Sequence, residues 1–239
     1  MARFVLLHSP LVGPLTLSPL AAALNRLGHS AVVPDLGGAV SPSGLSTSDL
    51  TAVVTQSVSD LGQPGPLIVA AHSGASAYLP CLSTALDFAG QVLIDAIVPP
   101  EAGPYTPSGD FRSELDRLVA ADGRLPPWPQ WWGEEVMAQL VPDPDLRAAI
   151  SGECPRLPMT FYDTVIEVPS DWADPWTGYL RLSESYEQAA VVAARRGWPV
   201  RRRVGTHLDT ATRPDEVALD VLDLIAPLLD GPIPVMLRP

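Results

Sequence analysis

The chain has 239 residues, 46% of them apolar, and a formal net charge of −12; this fits one folded domain with a full core and excludes a disordered chain. The acidic balance excludes nucleic acid and an anionic membrane as the main partner, and the basic run Arg201–Arg203 is too short to reverse it. All 15 basic residues are arginine, so chemistry that needs a lysine, whether a Schiff base or a phosphate-binding lysine, is excluded too.

Phe4–His8 is a continuous apolar run and reads as a buried strand. It could pass for the start of a signal peptide, but His8 and Pro10 interrupt it. A strand in a cytoplasmic protein is the expectation. Leu17–Leu27 reads as a helix closed by Gly28, and Ala31–Asp35 as a second strand. Ser48–Leu61 reads as a helix with a Ser/Asp start and Gly62 beyond its end. Leu67–Ala71 is a third apolar run, followed by a helix over Gly74–Phe88 with a kink expected at Pro80. Val92–Asp95 is a fourth strand. Tyr179–Leu182 and Val200–Val204 complete a set of six, separated by a helix over Glu184–Arg196, and a last helix covers Pro214–Leu229. Alternation of this kind predicts an α/β fold with a doubly wound, mainly parallel sheet of about six strands.

One connection breaks the rhythm. Between Asp95 and Tyr179 the sequence predicts no strand, only short helices over Asp110–Ala121, Gly133–Leu140 and Pro144–Ser151. This stretch is rich in proline and holds Trp128, Trp131, Trp132, Trp172 and Trp176. A connection so long is expected to be functional. It is read as a helical cap over residues 99–172, inserted into a core formed by residues 1–98 and 173–239. Trp128, Trp131 and Trp132 are candidates for the wall of an apolar pocket, or simply for packing. There is no internal repeat and no apolar stretch long enough to span a membrane. The two cysteines, Cys81 and Cys154, form no paired motif and read as free thiols. Exclusive use of arginine suggests a GC-rich bacterial genome.

The chemistry centres on Ser73. The run Leu67–Ala71 breaks into His72-Ser73-Gly74-Ala75, after which the chain turns helical. A buried strand, a sharp turn carrying serine and a following helix form a nucleophile elbow, which needs small neighbours. Serine is a poor nucleophile without a base. Of the four histidines, His207 lies in a loop between the last strand and the last helix. It therefore leaves the sheet at a carboxyl end, as Ser73 does. His207 is the candidate base. No histidine pair has metal-ligand spacing, so no metal site is expected.

Several segments in the right order resemble the α/β-hydrolase superfamily over nearly the whole chain. Phe4-Val5-Leu6-Leu7-His8-Ser9-Pro10 resembles its strand ending in His-Gly before the oxyanion loop. Gly28-His29-Ser30-Ala31-Val32-Val33-Pro34-Asp35-Leu36 resembles its helix-to-strand segment, and Gly205-Thr206-His207 with Pro214-Asp215-Glu216-Val217 resembles its ending. The nearest type is the small one of plant methyl esterases and hydroxynitrile lyases. The resemblance implies that His8 borders the substrate pocket and that Gly74 supplies an oxyanion N–H.

There are three departures from that pattern. Ser9 stands where the family has glycine, and Pro10 has no N–H to give; Leu11 replaces it as donor if the loop shifts. The outer elbow glycines are Ala71 and Ala75. The aspartate usual after the seventh family strand is missing from Leu182–Tyr186. The acid that orients the imidazole is then Asp95 by preference, with Glu184 as the alternative. The expectation is a serine hydrolase without cofactor, acting on a small apolar ester, thioester or lactone, as a monomer or homodimer. The alternatives are a cyclase or lyase on the same site, and a non-catalytic small-molecule binder.

Overall fold

The computed structural model describes residues 1–41, 44–62, 64–106 and 111–229. Its strands are β1 (Arg3–Leu7), β2 (Ser30–Val32), β3 (Val40–Ser41), β4 (Gly44–Leu45), β5 (Leu67–His72), β6 (Gly90–Ile94), β7 (Gly103–Tyr105), β8 (Ile166–Val168), β9 (Trp176–Arg181) and β10 (Val200–Arg202). The α-helices are α1 (Ser18–Arg26), α2 (Thr47–Asp60), α3 (Leu79–Ala85), α4 (Arg112–Leu118), α5 (Pro129–Trp132), α6 (Glu134–Leu140), α7 (Pro144–Glu153), α8 (Glu187–Arg195), α9 (Asp209–Thr212) and α10 (Pro214–Leu229).

Six strands form the main sheet, in the order β10-β9-β6-β5-β1-β2, and every neighbouring pair is parallel. The continuous apolar runs follow from burial on both faces. Side chains alternate across each strand. Phe4, Leu6, Ile68, Ala70, Val92, Ile94 and Leu180 pack against residues of α1 and α10. Val5, Leu7, Val69, Ala71, Leu93 and Tyr179 pack on the other face, against residues of α2, α3 and α8. The chain runs outward from β1 to β2, then returns to β5 and continues the other way. The order therefore reverses between β1 and β5, which is where an open parallel sheet leaves a crevice at its carboxyl ends.

Several boundaries differ from the sequence reading. β2 stops at Val32, because Pro34 has no N–H for the ladder. Asp95 lies just past β6, with φ 43°. β10 stops at Arg202, and Val204 is exposed. The helix expected over Gly74–Phe88 is a 3-10 turn, Ser73–Tyr78, followed by α3. Pro80 sits in the first turn of α3, where a missing N–H costs nothing, so it starts the helix and does not kink it. Asp110, the expected start of a helix, lies outside the described residues, and α4 begins at Arg112.

The segment between β6 and β9 carries α4 to α7 and also two strands that the sequence reading lacks. β7 and β8 pair antiparallel through Gly103–Val168 and Tyr105–Ile166. Leu115, Leu125, Phe161, Ile166, Val168 and Trp172 from this segment join the apolar cluster on one face of the sheet. Trp172 is fully buried, and its indole N–H donates to the Pro100 carbonyl. Trp176, outside the expected cap, opens β9. A separate cluster unites Trp128, Met137, Val141 and Ile150 with Val12 and Leu208, the neighbours of the β1 loop and of His207.

Candidate active site

β5 is buried along all of its length and delivers Ser73 at its carboxyl end. Ser73 has φ 58°, in the left-handed region that non-glycine residues rarely occupy. Such a residue costs about 1–3 kcal/mol and persists only where its surroundings hold it. Here the Ser76 hydroxyl lies 2.9 Å from the Ser73 carbonyl and 2.6 Å from that of Ile97. His72, just before the turn, donates from Nε2 to the His207 carbonyl at 2.9 Å and so ties the elbow to the His207 loop.

Asp95 leaves the adjacent strand with no exposed surface. Its Oδ1 accepts the N–H groups of Leu182 (2.8 Å) and Ser183 (2.9 Å). Its Oδ2 accepts the Ser183 hydroxyl (2.6 Å) and lies 2.8 Å from His207 Nδ1. Burial opposes ionisation of this carboxyl, but the hydrogen bond and charge of His207, with the Ser183 bonds, outweigh it and hold its pKa below the usual value. The geometry fixes the proton of neutral His207 on Nδ1 and leaves Nε2 free to accept one.

The His207 ring stacks on two neighbours: His72, at 4.5 Å between centroids, and Tyr186, at 5.1 Å and 8° from parallel. Burial, then the closeness of His207, push His72 down to about 3. His72 therefore stays neutral beside an imidazole that can take up a proton. Among the described residues its Nδ1 has no hydrogen-bond partner.

Sequence reasoning missed Tyr186. Its hydroxyl lies 3.3 Å from Ser73 Oγ, and burial raises its pKa to about 12. It stands in the loop where the family pattern puts an acid, which was the only available signal. Among the described residues Ser73 makes no hydrogen bond with His207, so Tyr186 holds its hydroxyl in this state.

Glu184 is not brought to the site. Its side chain is 82% exposed and pairs with Arg181 at 3.1 Å. Leu11 is close by, but its N–H donates to Ser9 Oγ at 3.3 Å. Gly74 follows Ser73 in the first turn of the 3-10 helix, where N–H groups have no acceptor within the helix. Ser9, Leu11, Val12, His72, Ser73, Trp128, His207 and Leu208 enclose a cleft of about 10 Å3, close to the space one water needs.

Of the three cap tryptophans named from sequence, Trp128 lines this cleft, with its ring 6.3 Å from His207. Trp131 donates its indole N–H to the Pro126 carbonyl, and Trp132 is 46% exposed. Neither lines the cleft. His8 does not line this cleft either. Its Nδ1 lies 2.9 Å from the Ser9 carbonyl and its Nε2 accepts the Leu36 N–H, so both nitrogens serve the backbone. It borders a larger cavity of about 460 Å3, whose walls include Pro10, Val12, Arg124, Glu153 and Arg156. Val12 lines both spaces. Among the described residues no group of His, Cys, Asp and Glu could hold a metal ion, and no helix is long and apolar enough to cross a membrane.

The chain matches no protein-family model and no curated protein by sequence. Among solved structures it is similar to an extracellular α/β-hydrolase from a Paenibacillus species, with TM-score 0.73 and 16% identity over 94% of this chain and 99% of that one. It is also similar to a methylesterase from Arabidopsis, with TM-score 0.67 and 13% identity over 95% and 100% of the two chains. Tomato methylketone synthase I, as a variant complexed with β-ketoheptanoate, aligns with TM-score 0.65 and 15% identity over 95% and 98%. The resemblance is one of fold: the chain has the α/β-hydrolase fold.

Proposed function

We propose that the chain is a serine hydrolase cleaving a small apolar ester, thioester or lactone with Ser73, His207 and Asp95. The observation that carries the proposal is the 2.8 Å contact from His207 Nδ1 to a buried, four-donor Asp95, beside a serine at φ 58°. Such a carboxylate stabilises an imidazolium, and the left-handed turn projects the hydroxyl from the strand end.

The reaction begins when Ser73 exchanges its bond to Tyr186 for one to His207. Ser73 Oγ then attacks the substrate carbonyl, and His207 Nε2 takes its proton. The carbonyl oxygen becomes an oxyanion, held in part by the Gly74 N–H. The C–O or C–S bond to the leaving group breaks, and His207 returns the proton to that group. Water then attacks the acyl-serine by the same route and frees the acid. Leu11, Val12, Trp128 and Leu208 give the cleft apolar walls, which favours small acyl groups. The steps use only the chain's own groups. We place the protein in the cytoplasm on its free Cys81 and Cys154.

A second reading is a small-molecule binder, or a cyclase or lyase, on the same pocket. It is favoured by Pro10, which removes one N–H from the β1 loop, and by Tyr186, which occupies the Ser73 hydroxyl. A panel of p-nitrophenyl esters and alkyl thioesters of rising chain length separates these readings. The proposal expects turnover by the wild type and a loss of several orders of magnitude in Ser73→Ala. Turnover by Ser73→Ala within a few-fold of wild type would overturn it.

A further inference from the structure

We propose that the Ser9 side-chain hydroxyl is the second donor to the oxyanion, in place of a backbone N–H of the β1 loop. The inference rests on the serine-hydrolase reading and adds a catalytic residue to it.

The argument begins with the donors that this loop lacks. Pro10 has no N–H. The N–H of Leu11 donates to Ser9 Oγ at 3.3 Å, and that of Val12 to the Ser9 carbonyl at 3.0 Å. Both are spent inside the loop and are not free to receive charge from a substrate. A nascent oxyanion facing this loop would meet no free N–H over these three residues, and one unmatched donor position costs a hydrolase two to three orders of magnitude or so in rate.

Ser9 supplies what is missing. It is 3% exposed and lines the same water-sized cleft as Ser73 and His207. Its Oγ lies beside Gly74, 3.5 Å from where a Cβ on that glycine would sit. Gly74 is the residue whose N–H the proposed mechanism assigns to the oxyanion. Among the described residues the one hydrogen bond of the Ser9 hydroxyl is the one it accepts from Leu11. Its own proton is therefore uncommitted. A hydroxyl that accepts a hydrogen bond is polarised into a better donor, so the Leu11 contact strengthens the group it occupies. The loop is also held firmly: the His8 ring bridges the Ser9 carbonyl and the Leu36 N–H. Ser9 and Gly74 thus face the switch point of the sheet from β1 and β5, as two donors with the Ser73 hydroxyl close by.

The test compares Ser9→Ala with wild type on p-nitrophenyl acetate, and measures inhibition by an alkyl trifluoromethyl ketone, whose hemiketal with Ser73 carries the oxyanion. The expected result is a fall in kcat of about 10²- to 10³-fold with KM changed less than about threefold, and an equal loss of affinity for the ketone. Thermal melting monitors the fold, since a merely structural Ser9 would lower the melting temperature without weakening the ketone more than the substrate. If Ser9→Ala does not fold, Ser9→Cys, nearly the same shape with a weak S–H donor, must show the same kcat loss at unchanged KM. Wild-type kcat and ketone affinity in the folded variant would overturn the role of Ser9. In that case an inert Ser73→Ala would leave the hydrolase reading standing. A wild type that neither hydrolyses esters nor binds the ketone would overturn both.

Discussion

Asp95→Asn tests the orientation of the base most sharply. Asp95 Oδ1 accepts two backbone N–H groups, from Leu182 and Ser183. An asparagine must keep its carbonyl oxygen there, so its NH2 replaces Oδ2. The Ser183 hydroxyl can turn and accept from that NH2 instead of donating. His207 Nδ1 cannot adapt without a change of tautomer: it must become an acceptor, which moves its proton to Nε2 and blocks uptake from Ser73. Loss of the correct tautomer lowers kcat by roughly 10⁴, about 5.5 kcal/mol of transition-state stabilisation. The fold should lose less than about 2 kcal/mol, because each backbone donor keeps its acceptor. The assay is steady-state hydrolysis of p-nitrophenyl acetate at pH 7, with urea denaturation alongside. Glu184→Gln is the control; that side chain is 82% exposed and should keep activity within about twofold. If Asp95→Asn retained more than a tenth of wild-type kcat while folded, the reasoning from tautomer and geometry would be refuted.

Tyr186→Phe keeps the ring stacked on His207 and releases the Ser73 hydroxyl, so labelling of Ser73 by a phosphonate should be unchanged or up to a few-fold faster; a tenfold slowing would make the phenol part of the reaction. His72 is held neutral by burial down to about pH 3, whereas an unfolded histidine titrates near 6.5. Unfolding therefore takes up a proton between those values, and this stability is complete above pH 6.5 and lost as pH falls, by up to ~1.4 kcal/mol per unit. Urea midpoints at pH 7.0 and 5.0 should fall more for wild type than for His72→Gln, and equal falls would remove His72 as the cause. Trp128→Ala should cost about 3–5 kcal/mol because Trp128 packs among Val12, Met137 and Leu208, whereas Trp132→Ala, at a 46% exposed site, should cost less than about 1. Comparable losses in the two variants would contradict the packing described.

The centre of the sheet was legible because burial on both faces writes itself as apolar runs in β1, β5, β6 and β9, whereas the edge strands β2 and β10 are only partly buried. β7 and β8 were not legible: at three residues each, one containing Pro104, they carry no periodic signal. Ser73 and His207 could be picked from strand-end positions alone, since the topology carries both to one edge. Asp95 could be preferred as the acid from its place at the end of its strand, but its φ of 43° and its hydrogen bonds to the next loop are features that no local pattern announces. Tyr186 was hidden for the same reason. Its contact with Ser73 spans 113 positions, and beyond its place in the loop where the family pattern puts an acid no local feature marks it. Trp128, Trp131 and Trp132 look alike in sequence, but only a short helix, α5, decides which ring turns to the cleft.

The account stands on Ser73 as a nucleophile made reactive by His207. Its most direct test is treatment of the wild type, Ser73→Ala and His207→Ala with a fluorophosphonate, followed by intact-mass and peptide mapping. The account predicts one adduct on the peptide carrying Ser73, none on that peptide in Ser73→Ala, and labelling slowed by at least about a hundredfold in His207→Ala. A wild type that takes up no label, or takes it up elsewhere, would contradict it.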